Sequence, residues 1–171
     1  TAGYVLPQWV DYTVFEQSEL LDLDVQSLQE GQTVWIANTP NGDWDVKRFN
    51  SLNTSTEAYK QFDNVLQITT KEPHGLNEND YVALIGVNDS LDAVYQVSVA
   101  DSTDDDKNFT VNYSGTVDST NFQGTIGVFE SVRLNDIDDI DAIIPAKGFT
   151  IGDYVYVDNN YKDQYPNSGL W

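Results

Sequence analysis

The alternation of apolar and polar residues along the chain predicts a series of short β-strands. Residues 64–70 (NVLQITT) alternate as a half-buried strand does, and residues 81–85 (YVALI) are a short run rich in apolar side chains. Further strands are predicted at residues 93–99, 108–113 and 125–130. Clusters of Asn, Asp, Ser and Gly separate these strands at the intervals typical of a small barrel or sandwich.

The clearest local prediction is a β-hairpin near the start of the chain. Residues 33–37 (TVWIA) are rich in β-forming side chains, and residues 44–49 (WDVKRF) alternate between apolar and polar. The Asn-Gly dipeptide between them favours the positive φ angles of a tight turn. Trp35 and Trp44 lie on opposite arms, where we predict a cross-strand pair.

The same order of features recurs later in the chain. The residues Val-Phe-Glu at 14–16 open a first segment that continues through an acidic stretch to residues 30–46. The same three residues at 128–130 open a second segment that continues to residues 151–171. We predict that each segment is a short strand, an acidic turn or short helix, and a β-hairpin with aromatic residues on both arms.

Both acidic stretches contain apolar residues at a spacing that favours one or two helical turns. In the second stretch Ile137, Ile140 and Ile144 recur at helical spacing, and Pro145 would end the helix. The first stretch holds a weaker version of this pattern after Ser18, formed by Leu20, Leu21, Val25 and Leu28.

These patterns predict an all-β protein made of small antiparallel barrel or sandwich modules and β-hairpin repeats with short helical turns. We divide the chain into a first hairpin module with a linker (1–60), a central barrel-like module (61–127) and a second hairpin module (128–171). The polar, Ser/Thr-rich residues 50–61 are the expected linker. The chain begins without an initiator methionine and stops at Trp171 within an expected strand, so we expect a fragment or a processed product with a truncated second hairpin.

The charge of the chain limits the kinds of partner that we expect it to bind. Acidic residues outnumber basic ones by 28 to 8, and the formal net charge is -20. Such a charge repels phosphate backbones and anionic lipid, which argues against nucleic acid and membrane surfaces as partners. The acidic net charge has three alternative explanations, which are solubility, divalent cation binding and a high-salt habitat. The sequence has no cysteine, hence no disulfide or thiolate site, and no apolar run of the roughly 20 residues that a membrane helix needs.

Few residues indicate catalysis. His74 is the only histidine and lies between a proline and a glycine, where a structural role in a turn competes with a role as ligand or base. Acid pairs such as Asp22 with Asp24, or Asp43 with Asp45, match what a glycosidase needs, and a solvated protein face is the alternative. We predict no catalytic residue, and we rank an enzyme behind the structural and binding hypotheses given below.

Acidic loops provide the oxygen ligands that calcium requires. None of them matches an EF-hand, and solvated turns without a metal are the alternative. The candidate metal ligands are Asp104, Asp106, Asp158 and Asp163, in loops that also contain Asp101, Asp105, Asn159 and Asn160; a further acidic loop contains Asp136, Asp138, Asp139 and Asp141. Calcium is the one cofactor that these residues suggest.

Aromatic residues on the hairpins are the candidate binding surface. Trp35, Trp44, Tyr156 and Trp171 would stack on sugar rings if their faces were exposed. The alternative is packing within the hairpins, where a facing pair of rings would stabilise the fold by roughly 0.5–1 kcal/mol.

Two sets of motifs resemble those of bacteriophage proteins. Residues 30–36 (EGQTVWI) with 42–46 (GDWDV), echoed by 151–157 (IGDYVYV) with 169–171 (GLW), resemble the repeated hairpin modules of large virion structural proteins in tailed bacteriophages, with marine, T4-like phages as the nearest group. The central motifs resemble a small β module that recurs in phage tail and fibre proteins; they are Ile68-Thr69-Thr70, His74-Gly75-Leu76, Asp80-Tyr81-Val82 and Tyr95-Gln96-Val97.

This resemblance implies a structural role in a tail, baseplate or fibre, without a catalytic motif. The implied location is the virion or the extracellular space, and the implied partners are other virion proteins or copies of the chain in a homo-oligomer. The sequence departs from the family pattern at Asn79, where a glycine is usual, and at the early stop of the second hairpin. The alternative function is a carbohydrate-binding or adhesive module that uses the exposed rings, assisted by calcium.

Overall fold

The computed structural model describes residues 10–101, 106–117, 122–134 and 156–157. These residues fold almost entirely as β-structure, which confirms the predicted all-β class. The strands are β1 (Tyr12–Glu16), β2 (Thr33–Asn38), β3 (Asp45–Phe62), β4 (Val65–Thr70), β5 (Tyr81–Ile85), β6 (Ala93–Asp101), β7 (Asn108–Asn112), β8 (Thr125–Ser131), β9 (Arg133–Leu134) and β10 (Tyr156–Val157). Two short 3₁₀ helices, Gln17–Asp22 and Val25–Ser27, lie between β1 and β2, as the apolar spacing after Ser18 predicts.

Six strands close into an antiparallel barrel. Their order is β3-β4-β7-β6-β5-β8, and β8 pairs back with β3, so each strand has a hydrogen-bonded neighbour on both sides. The inward-facing side chains form an apolar core because successive residues of a strand alternate between its two faces. The largest fully buried members of this core are Leu66, Ile68, Leu84, Leu91, Phe109 and Ile126.

A second apolar core lies on the outside of the barrel. Val82 and Leu84 of strand β5 belong to the barrel core, whereas Tyr81 and Ala83 of the same strand belong to the outer core. Strand β5 is a nearly continuous apolar run because both of its faces are covered. The segment with the two 3₁₀ helices contributes Leu20, Val25 and Leu28 to the outer core, and β2 contributes Val34 and Ile36. The hairpin therefore packs directly on the barrel.

A glycine makes room for one large ring of the outer core. Gly127 in β8 lies against the ring of Phe49 in β3, and a Cβ atom at residue 127 would collide with that ring. Phe49 also packs against Phe129, with ring centroids 5.2 Å apart. The absent side chain at residue 127 is thus what allows β3 and β8 to carry these two rings on one face.

Strand β3 connects the hairpin to the barrel. Its first half pairs with β2 and β8, and its second half pairs with β4. Residues 50–61 lie inside this strand, so the prediction that they are a linker is wrong. Threonine is a good strand former, and the buried Thr56 hydroxyl donates a hydrogen bond of 2.7 Å to the carbonyl of Phe122. The division into modules at residues 60 and 127 stays a prediction, and β3 and β8 each run across one of these positions.

The β2–β3 hairpin has the predicted arms and turn. Its register pairs Trp35 with Val46, and Gly42 in the turn has a φ of 77°. Asn79, before β5, also has a left-handed backbone, with a φ of 70°. Asparagine tolerates this conformation better than most residues do, so this turn does not require a glycine.

The two Val-Phe-Glu segments have different places in the sheet. Residues 14–16 lie in β1, which pairs in parallel with β2, whereas residues 128–130 lie in β8, antiparallel between β3 and β5. The prediction that they open equivalent segments is therefore wrong, since β8 closes the barrel and β1 stands at one end of the sheet. The predicted helix at 137–144 and the second hairpin, except for Tyr156–Val157, lie outside the described residues. In the described part of the chain, no helix has the length and apolar character needed to cross a bilayer.

Candidate functional site

The hairpin holds two tryptophan rings against each other. Because Val46 is the register partner of Trp35, Trp44 lies diagonally across from Trp35 on the same face. The rings stack with centroids 5.0 Å apart and planes inclined by 21°, which confirms the predicted cross-strand pair. Val46 and Val132 are buried beside the rings. The buried indole nitrogen of Trp35 has no hydrogen-bond partner among the described residues.

Trp44 also lines an open groove of about 700 Å³ beside the hairpin turn. Three barrel segments face the turn across this groove, through Asn79 before β5, Gln96 in β6 and Ser131 at the end of β8. A partly buried ring among amides, hydroxyls and carboxylates is suited to a sugar, which presents an apolar ring face and hydroxyl groups. The full lining is Gln17, Thr39, Pro40, Asn41, Asp43, Trp44, Asp45, Asn79, Gln96 and Ser131.

The two acids of the groove hold the backbone around it. Asp45 Oδ1 accepts hydrogen bonds from the backbone nitrogen of Val46 at 2.8 Å and from Ser131 Oγ at 2.7 Å. Asp45 Oδ2 lies 3.6 Å from Lys47 Nζ. Asp43 Oδ1 accepts a hydrogen bond of 2.8 Å from the backbone nitrogen of Trp44. Asp45 therefore ties the hairpin to the end of β8, and Asp43 shapes the turn.

In the other acid pair considered from the sequence, Asp22 ends the first 3₁₀ helix and Asp24 caps the second. Asp24 precedes the second 3₁₀ helix, and its Oδ1 accepts a hydrogen bond of 3.0 Å from the backbone nitrogen of Gln26. Its Oδ2 accepts a hydrogen bond of 2.9 Å from Ser27 Oγ. Both oxygens thus satisfy groups at the start of the helix, which is the usual role of an aspartate at this position.

His74 is enclosed in a turn and is only 4% exposed. Its Nδ1 accepts a hydrogen bond of 2.9 Å from the backbone nitrogen of Leu76, which places the ring proton on Nε2. Nε2 then donates to the carbonyl of Asn108 at 2.9 Å. The edge of the ring meets Phe109, with centroids 5.4 Å apart. Both ring nitrogens are occupied by the fold, so the structural role in a turn applies.

Asp106 lies in the connection between β6 and β7 and hydrogen-bonds to the loop that contains His74. Asp106 has a φ of 56°, its carbonyl accepts a hydrogen bond of 2.9 Å from the His74 backbone nitrogen, and its Oδ2 accepts one of 3.2 Å from Gly75. Within the described ranges, no three His, Cys, Asp or Glu side chains form a group that could hold a metal. The other candidate metal ligands, Asp104, Asp158 and Asp163, lie outside these ranges.

One carboxylate organises a loop that the sequence patterns did not single out. Asp92, in the loop between β5 and β6, accepts hydrogen bonds from the backbone nitrogens of Gly86, Val87 and Asn88 at 2.8, 2.9 and 3.2 Å. Gln26 Nε2 donates a fourth at 3.1 Å from the helical segment that covers the outer core. The cluster of Asn, Asp and Ser at residues 88–92 is the sequence signal for this loop.

Among the described residues, Tyr95 is the group whose pKa the fold changes most clearly. Burial, together with the neighbouring Tyr113 and Asp92, raises the pKa of Tyr95 from 10.0 to about 12. The hydroxyl donates a hydrogen bond of 2.7 Å to the carbonyl of Leu91. This hydrogen bond requires the protonated hydroxyl, so it also stabilises the neutral form of the Tyr95 side chain.

Two of the four candidate surface aromatics are brought together. Trp35 and Trp44 form the stack described above, whereas Trp171 and the side chain of Tyr156 lie outside what the structure describes. No protein-family model matches the sequence, and no curated protein is significantly similar to it.

Proposed function

We propose that this chain is a non-enzymatic structural segment of a tailed-bacteriophage virion protein, in a tail, baseplate or fibre. The observation that carries the proposal is that the hairpin and the barrel form one hydrogen-bonded sheet of eight strands, joined through β3. A structural segment that acts as a spacer or as a contact surface needs such a continuous sheet, because its parts must keep fixed positions relative to one another. The motif resemblance to phage hairpin and tail modules supports the virion origin.

The use of the polar side chains supports a structural role over a catalytic one. Both nitrogens of His74 bind the backbone, and Asp92 accepts hydrogen bonds from backbone nitrogens of its own loop. Asp106 accepts a hydrogen bond from the backbone nitrogen of Gly75 in the neighbouring loop. A catalytic base must instead be free to take a proton from a substrate. In the described part of the chain these groups hold the fold.

The expected partners are other virion proteins or copies of this chain in a homo-oligomer, since tails, baseplates and fibres are symmetric assemblies. The net charge of -20 supports protein surfaces over nucleic acid or anionic membrane as partners. The location that this proposal requires is the virion, outside the host cell.

The proposal is tested by following the chain through purification of phage particles from cells that produce it. Quantitative mass spectrometry across a density gradient should find its peptides in the particle band, at a constant ratio to the other tail proteins. Recovery of the chain only in the particle-free fractions would contradict a virion role.

A carbohydrate-binding or adhesive module is the second candidate, and the groove beside Trp44 favours it. The groove combines one partly buried ring with the polar side chains of Asn41, Asn79 and Gln96. Its volume of about 700 Å³ lies within the roughly 300–1,000 Å³ of small-ligand sites. Calcium in the acidic loops would assist such binding.

A glycan array, with and without millimolar calcium, tests this second candidate. Binding should be lost in Trp44→Ala and retained in part in Trp44→Phe, which keeps a ring. Phe62→Ala is the matched control, because Phe62 is 54% exposed and is not part of the groove lining. Glycan binding that survives Trp44→Ala unchanged would remove the groove from consideration.

A further inference from the structure

A parallel strand pair occurs twice in the described part of the chain. In the first pair, β1 and β2, Thr13 is the partner of Trp35; in the second pair, β9 and β10, Arg133 is the partner of Tyr156. Arg133 follows Thr13 by 120 positions and Tyr156 follows Trp35 by 121. The barrel strands pair only in the antiparallel sense. The two parallel pairs are therefore a distinctive shared feature, and their paired residues are separated by nearly equal lengths of chain, 22 positions from Thr13 to Trp35 and 23 from Arg133 to Tyr156.

The residues between the paired strands match at the same spacing. The fold buries a defined set of apolar residues in the first connection and in β2, and the second segment has an apolar residue at each equivalent position, with one residue inserted near Pro145. The pairs are Leu20 with Ile140, Val25 with Ala146, Leu28 with Phe149, Val34 with Val155 and Ile36 with Val157. Gly31, which has a φ of 83°, corresponds to Gly152.

A polar pair is repeated as well. Glu16 and Asn38 are register partners across β1 and β2, and the Asn38 amide donates hydrogen bonds of 3.1 Å to both carboxylate oxygens of Glu16. In the sequence, Asp136 follows Glu16 by 120 positions and Asn159 follows Asn38 by 121, the same offsets as for the paired strands. An acid and an asparagine thus occur at matching sequence positions in both segments. Hydrophobic spacing alone does not require this match.

In this comparison the second segment is residues 132–171, and it begins where the barrel ends. Strand β8 is the last barrel strand, and the next residue, Val132, is buried against Val46 and the Trp35–Trp44 stack. The Val132 backbone nitrogen donates a hydrogen bond of 2.9 Å to the carbonyl of Val46. The chain therefore passes from the closed barrel into β9 without an intervening linker.

From these matches we infer that the repeating unit is the hairpin together with the barrel, about residues 12–131, and that residues 132–171 have the sequence of the opening part of a second unit. The second segment then begins at Val132, next to the tryptophan stack of the first unit. This inference goes beyond the virion role and does not depend on it, because it concerns only how the units follow one another.

Disulfide cross-linking tests the register in the full chain, which has no cysteine of its own. The test variant is Asp136→Cys with Asn159→Cys, and the positive control is Glu16→Cys with Asn38→Cys at the register already seen in β1 and β2. The mismatched control is Asp136→Cys with Asn160→Cys, because a shift of one residue turns a side chain to the other face of a strand.

The test pair should oxidise at a rate similar to that of the positive control and at least about tenfold faster than the mismatched pair, because a disulfide tolerates only a narrow range of Cα separations. Equal rates for the test and mismatched pairs, with the positive control forming normally, would overturn the inferred repeat.

A second experiment tests whether the unit includes the barrel. An isotopically labelled copy of residues 45–131 is ligated after Trp171, so that Trp171 precedes Asp45 as Trp44 does in the first unit. If the added residues fold, their amides should exchange more slowly than those of an unfolded chain. Their exchange rates should lie within about tenfold of the rates of the same residues in the first unit. Ile140→Asp should remove this protection and leave the first unit unchanged. Exchange of the added residues at the rate of an unfolded chain would contradict the inference.

Discussion

The barrel interior and the hairpin on its outer surface hold their aromatic rings in different ways. Phe109 is fully buried in the barrel core, where it meets the edge of His74. Trp44 is only partly buried, stacks on Trp35 and lines an open groove. His74, the only histidine, thus hydrogen-bonds to the backbone beside a buried ring, whereas the hairpin carries a ring that borders an open groove.

The largest expected effect is on the barrel side of this comparison. Phe109→Ala should lower the free energy of unfolding by about 3–5 kcal/mol, because it removes a fully buried ring and leaves a cavity. Chemical denaturation measures this change. Phe62→Ala is the control, since its ring is 54% exposed and its loss should change the free energy by no more than about 0.5 kcal/mol. Equal losses from both substitutions would contradict the closed barrel core.

Removing the enclosed histidine should have the next largest effect. His74→Ala leaves the carbonyl of Asn108 and the backbone nitrogen of Leu76 without their partner. Each buried unsatisfied group costs about 1–3 kcal/mol, so the loss should approach that of a core substitution. Thermal unfolding measures it. A histidine that served as a ligand or base instead would show a change below about 0.5 kcal/mol, in the range of ordinary surface substitutions.

On the hairpin side the expected loss of stability is smaller. Trp44→Ala removes a ring pair worth about 0.5–1.5 kcal/mol beyond the area that it buries. Near-ultraviolet circular dichroism should lose the signal of the coupled indole rings, and denaturation gives the change in free energy. A loss greater than that of Phe109→Ala would mean that the hairpin, and not the barrel, is the more stable region.

The smallest expected effect concerns Tyr95 and appears only at high pH. The pKa of Tyr95 is about 12 in the folded chain, against 10.0 for an ordinary tyrosine. The unfolded chain releases this proton first, so the free energy of unfolding is unaffected below pH 10 and falls as the pH rises from about 10 to about 12. Tyr95→Phe should make this decline shallower in a denaturation series. An identical decline in both proteins would show that burial of Tyr95 does not matter.

Much of the fold follows from local sequence patterns. The predicted strand at residues 81–85 coincides with β5, and the Asn-Gly turn lies between β2 and β3 as predicted. Residues 50–61 were missed because their Ser and Thr side chains find partners far away in the chain, such as Phe122 for Thr56. A polar strand of this kind cannot be distinguished from a linker by composition alone.

Less of the candidate site follows from the sequence. The Trp35–Trp44 pair was predictable, because both residues lie on the arms of one hairpin. The groove was not, because Asn79, Gln96 and Ser131 reach it from three separate segments. Asp92 was also missed, since its four hydrogen-bond donors are defined only by the folded loop and by contact with Gln26.

Native-state hydrogen exchange can distinguish a single structural unit, made of the hairpin and the barrel together, from two units that open independently. If they are one unit, the buried amides of β2 and β7 should exchange with the same free energy of opening, and Trp44→Ala should lower both values equally. Amides of β2 that open at a free energy about 2 kcal/mol or more below those of β7, with β7 unaffected by Trp44→Ala, would contradict the account.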